Sequence, residues 1–168
     1  MASTQSWTEY NGASSVTVVP SRTEANWKAI DDSTTAYTAS PLNSSTNTNS
    51  FGKVQAIVYA GTWNSLSGLT YKIDNNAPAT GLSIVGSVIT AVVTNSQTAT
   101  GDAAMSTTGL AANFVTSTSP FGAGTTSTTA SGTMYANPLR TQLQTLSSYA
   151  GGPGDIVSRT ITASWTES

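Results

Sequence analysis

The sequence predicts an all-β protein, an antiparallel β-sandwich or jelly roll with one short C-terminal helix. Three observations carry that expectation. Short runs rich in β-branched and aromatic residues recur along the chain. Gly, Pro, Asn and Asp punctuate them. One segment near the C-terminus shows a helical period. The 168 residues suit a single domain, 1–168, and no interior linker or solenoid repeat divides them.

Taken in order, residues 1–12 lack apolar bulk and are expected to form an extended arm. Ser14–Val19 is a β-branched run stopped by Pro20, and Ser21–Ile30 has a weak helical pattern with Trp27 and Ile30 on one side. Thr34–Thr38 is a candidate strand ended by Pro41, and Asn43–Ser50 is a polar loop. Val54–Ala60 is apolar on both faces except at Gln55, which marks a buried strand ended by Gly61. Leu69–Asp74 alternates, with Leu69, Tyr71 and Ile73 on one face, and Asp74–Pro78 is a turn. Leu82–Val85 and Val88–Thr94 read as strands separated by a bend at Gly86. Residues 101–132 are rich in Thr, Ser and Gly and are expected as short strands or ordered loops. Asn137 and Pro138 suit a helix start, and Leu139, Leu143 and Leu146 fall at i, i+4 and i+7 before Gly151-Gly152-Pro153-Gly154. Ile156–Trp165 closes the chain as an alternating strand.

Composition excludes whole classes of function. Only 8% of residues are charged, against about 25% in ordinary domains. Six dispersed Lys and Arg make no basic stripe for phosphate backbones, so no nucleic-acid partner is expected. No Cys means no disulfide framework, thiolate zinc site or thiol catalysis, and no His removes the Ser-His-Asp schemes. The longest apolar stretch, Ile84–Val93, is too short for a membrane-spanning helix, and the first residues carry no leader pattern. Ser and Thr, about a third of the chain, replace the missing charge. Such a surface sheds water at low electrostatic cost, as suits a chain packed against copies or partners.

The candidate site residues are few. Asp31 and Asp32 form the only adjacent carboxylate pair. They are the candidate metal ligands, of calcium type, but lack the spaced run of acidic ligands such a loop uses. Asp31-Asp32-Ser33-Thr34 also has the composition of a turn, and neighbouring side chains of an extended segment point apart. Trp27 and Trp63 are the candidate sugar-stacking platforms. No residue set supplies an acid, a base and a positioned nucleophile for turnover. The chain is therefore expected to be no enzyme and to use no cofactor.

The stretch Asn26-Trp27-Lys28-Ala29-Ile30-Asp31-Asp32-Ser33-Thr34-Thr35-Ala36-Tyr37, ending at Ser40-Pro41, resembles a segment of tailed-bacteriophage virion structural proteins. There it is followed by a polar loop, a strand and a phrase like Gly61-Thr62-Trp63-Asn64. The segment with Tyr135, Leu139, Thr141, Gln142 and Leu143 is similar to a helix of the same proteins. The resemblance implies a virion component. Size, β content and low charge point within that group to a capsid decoration, or cement, protein. Its expected partners are the major capsid protein and copies of itself, as dimer or trimer, on the capsid exterior after assembly in the host cytoplasm. A tail-tube or head–tail connector protein is the first alternative. The second is a carbohydrate-binding jelly-roll module, because Ala29–Tyr37 also resembles a corner of discoidin-type domains. Asp32 replaces that corner's Gly, Ser33 its ion-site aspartate and Tyr37 its Trp.

Overall fold

The computed structural model describes residues 3–12, 17–42, 49–98, 101–115, 119–122, 124, 128–146, 148–151 and 158–168. Ten strands occur among them: β1 Thr4–Asn11, β2 Thr17–Arg22, β3 Lys53–Ile73, β4 Leu82–Val88, β5 Ala103–Ala104, β6 Leu110–Ala111, β7 Phe114–Val115, β8 Thr128–Ala136, β9 Leu139–Thr145 and β10 Ile161–Glu167. All pair antiparallel, in one open sheet rather than two separate ones, with the path β2-β1-β3-β9-β4-β5.

The 21-residue β3 organises the molecule. Its first half pairs with β1 along one side, from Tyr10↔Val54 to Thr4↔Ala60, and its second half pairs with β10 on from Leu66↔Glu167 to Ile73↔Ile161. Along β3, β9, β8 and β6 also pair in turn. Two irregularities keep its apolar residues on one core. Strict alternation from Trp63 turns Leu66 to the opposite face. The register slips once between Trp63 and Leu66 against β8, and again opposite Ser164 and Thr166 of β10. Each slip inverts the face, so Ile57, Tyr59, Trp63, Leu66, Leu69, Tyr71 and Ile73 all join the main cluster. Gly61 and Gly68, with φ of 119° and 64°, supply backbone that L side chains rarely adopt, and the strand runs on through both.

The main core is completed by Ile84, Met105, Phe114, Met134, Leu139 and Leu143. Tyr59 sits edge-on to Phe114 and to Trp165, each at 5.3 Å. Each fully buried Leu or Ile here contributes about 2 kcal/mol relative to exposure. A smaller cluster of Tyr10, Val54, Ala56 and Ile89 covers the other face of β3's first half.

Several expected elements differ. Residues 139–145 are strand β9, not a helix. Leu139, Thr141, Leu143 and Thr145 are all buried, a period of two, and the i, i+4 leucine spacing satisfies that period as well as a helical one. Pairing with β4 over seven residues decides between them. Thr4–Asn11 is no arm but a strand between β2 and β3. β2 runs through Pro20, tolerated because β1 is its only pairing partner among the described residues. Residues 23–35 contain no helix, and Tyr37–Ala39 is a 3-10 turn where a strand was expected. β4 passes straight through Gly86, where a Cβ would meet Met105 Sδ at 2.8 Å. The expected polar loop at 43–48 and glycine turn at 152–154 lie outside the described residues.

Candidate functional site

Charge is scarce in this chain, and most of it turns inward. Of six basic and eight acidic residues, four of each sign belong to two internal networks. The smaller pairs Arg140 with Asp102 through two bonds, Nε to Oδ2 at 2.9 Å and Nη2 to Oδ1 at 2.6 Å. The larger sits where the start of β3 meets the end of β1 and the loop after β2.

That loop, Lys28–Thr35, is tied by its own side chains. Asp32 accepts from Lys28 Nζ at 2.6 Å, from Thr35 Oγ1 at 2.6 Å and from the Thr34 and Thr35 amides. The Lys28 ammonium, then the Thr35 hydroxyl, hold its carboxyl well below the usual carboxylate range. Asp31 points elsewhere, accepting from the Gly12 amide at 2.8 Å and from Asn95 Nδ2 at 3.0 Å. The two carboxylates thus serve different partners, as the turn composition implies, and do not converge. No group of three or more His, Cys, Asp or Glu able to hold a metal occurs among the described residues.

Lys53, 1% exposed, is the centre of the network. Its Nζ donates to the Asp32 carbonyl at 2.9 Å, Asn11 Oδ1 at 3.3 Å and Glu9 Oε1 at 3.4 Å. Burial pushes the Lys53 ammonium pKa down, and the Glu9 carboxylate draws it partly back. Arg22 lies 3.7 Å from the other Glu9 oxygen. Sequence reading missed Asn11, Lys53 and the tie of Glu9 to them, because no local pattern links β1 to a residue more than forty positions away.

Two surface features flank this network. A groove of about 500 Å³ opens beside β1 and β2, lined by Tyr10, Val18, Val92, Phe121, Tyr135 and neighbours, none of them charged. Val18 and Val92 are about half exposed there, at 56% and 48%. Tyr10 and Phe121 meet edge-on at 5.5 Å, and burial followed by the proximity of Tyr135 pushes the Tyr10 hydroxyl up to about 12. A cleft of about 200 Å³ is lined by Trp7, Arg22, Glu24, Trp27, Gln55 and Arg159. Trp27 is held there by its Nε1, which donates to Thr141 Oγ1 at 3.1 Å. Trp63 is not with it: at 5% exposure it is a core residue and no stacking platform.

No helix among the described residues is long and apolar enough to cross a membrane. Comparison with known proteins finds no matching family model, curated protein or solved structure.

Proposed function

We propose that this chain is a structural subunit of a tailed-phage virion, of the capsid decoration type. One observation carries the reading most: eight of the fourteen charged residues are drawn into internal networks, which leaves hydroxyls, amides and an uncharged groove to meet partners. Contacts of that kind desolvate few ions, so they form by area and hydrogen bonding and tolerate salt. The likeness of residues 26–41 to virion proteins supports the same reading. We take the bent sheet as the jelly-roll-like body of such a subunit, with β3 shared by its two halves. The partners are the major capsid protein and further copies of the chain, on the capsid exterior. The test is reconstitution. Heads lacking the chain, incubated with purified protein and sedimented, bind it at a fixed ratio in both about 0.1 M and about 1 M salt. Absence of cosedimentation, or binding that collapses at high salt, contradicts the proposal.

A second reading, a carbohydrate-binding module, is favoured by the cleft holding Trp7 and Trp27 beside two arginines. Glycan-array binding that Trp27→Ala abolishes, with the fold intact, supports it over the first.

A further inference from the structure

The Lys53 site has more in it than an ion pair. One step beyond the Tyr10↔Val54 pair, Asn11 on β1 stands opposite Lys53 on β3, and Glu9 lies two residues back on the same face. The three side chains are 2%, 1% and 1% exposed respectively. Lys53 Nζ is 3.3 Å from Asn11 Oδ1 and 3.4 Å from Glu9 Oε1. An amine nucleophile, a neutral amide carbonyl and a carboxylate therefore converge in a space closed to water. One atom of this group is left over. Asn11 Nδ2 is buried with no hydrogen-bond partner, whereas Glu9 Oε2 has the Arg22 guanidinium at 3.7 Å. A network built only to bury charge satisfies such atoms, since each orphan is costly.

We propose that Lys53 and Asn11 join spontaneously in an intramolecular isopeptide bond, with Glu9 as the proton-transfer residue. Lys53 Nζ, as the free amine, attacks Asn11 Cγ. The Nζ–Cγ bond forms and the Cγ–Nδ2 bond breaks. Glu9 takes a proton from the attacking amine and returns it to Nδ2, which leaves as ammonia. The carboxylate is regenerated, and no oxidant or second reactant enters. Desolvation favours the free amine that the step needs. The orphaned Nδ2 is the leaving group: once attack makes Cγ tetrahedral, its lone pair is released from amide resonance and takes the proton, and no hydrogen bond holds it in place.

The neighbouring Lys28–Asp32 pair does not compete. Its acceptor is a carboxylate held ionised by Lys28 and Thr35, and an anion resists attack by an amine. The bond ties the N-terminal strand covalently to the strand that organises the fold. It constrains the unfolded chain in the manner of a disulfide, in a protein with no cysteine. This inference stands apart from the virion reading and does not depend on it.

Mass spectrometry of the purified full chain tests it. The linked protein is lighter than its sequence by about 17 Da, the mass of the ammonia expelled. Trypsin then leaves Lys53 uncut and yields residues 1–22 joined to residues 29–72, a result independent of N-terminal processing. Asn11→Ala and Lys53→Arg give unlinked peptides. Glu9→Gln, with unchanged circular dichroism, links at least about tenfold more slowly. A wild-type chain that keeps its full mass and releases peptide 29–53 after prolonged incubation overturns the proposal. Equal linking rates for wild type and Glu9→Gln overturn the role of Glu9.

Discussion

At its start β3 carries Lys53 into a network of charges and amides; towards its end it carries Leu69, Tyr71 and Ile73 into an apolar core. The two regions are comparably buried and differently held. The apolar end gains from every Å² removed from water and tolerates reshaping at constant volume. The polar end gains little net energy from its charges, because desolvation offsets attraction, but it fails badly if one partner is removed. The difference explains how so uncharged a chain keeps a defined loop after β2. Six of its ions hold the loop to the sheet instead of coating the surface.

The contrast is most sharply broken by cavity formation. Leu69→Ala is expected to lower stability by about 3 kcal/mol, read from urea unfolding, with the same loss at low and high salt. Asp32→Ala comes next, at about 2 kcal/mol, since it strands the buried Lys28 ammonium with the Thr35 carbonyl as its remaining partner. This end also responds to acid. Asp32 has a depressed pKa, so its contribution is complete above the ordinary carboxylate range and is lost as pH falls below about 4. Asp32→Asn is expected to flatten that acid limb of the stability curve.

The apolar regions respond instead to alkali. Burial raises the hydroxyls of Tyr10, Tyr59 and Tyr71 above the ordinary value of 10.0. Raised pKa values mean that their contribution is intact below pH 10 and is lost as pH climbs towards about 12, the value for Tyr10. Phenolate absorbance is expected to show three of the six tyrosines silent until the protein unfolds. The smallest effect on stability is at the groove. Val18→Ser with Val92→Ser changes folding by less than about 0.5 kcal/mol per site and weakens association between copies.

Much of this was legible in the sequence where period and composition agreed. The alternation of Leu69, Tyr71 and Ile73, the Asp31–Thr34 turn and the apolar run at Val54 all have local signals. β9 was obscured because Leu139 and Leu143 satisfy both periods, and Pro138 suits a helix start as well as the step into a strand. β1 was obscured because Thr8, Glu9 and Asn11 are polar yet buried, a state that partners on β3 and, for Glu9, Arg22 on β2 make tolerable. The length of β3 was obscured by Gly61, which reads as a stop, but the strand runs on through it and through Gly68 within one ladder. Trp63 looked like a surface platform because Gly61, Thr62 and Asn64 around it are polar or small, whereas its own ring faces the core.

Charge drawn inward leaves a charge-poor surface suited to assembly. Light scattering on the size-exclusion eluate, over a concentration series in about 0.1 M and about 1 M salt, tests it most directly. A discrete dimer or trimer, unchanged by salt, is the expected result. A monomer at every concentration, or an assembly that dissolves as salt rises, contradicts it.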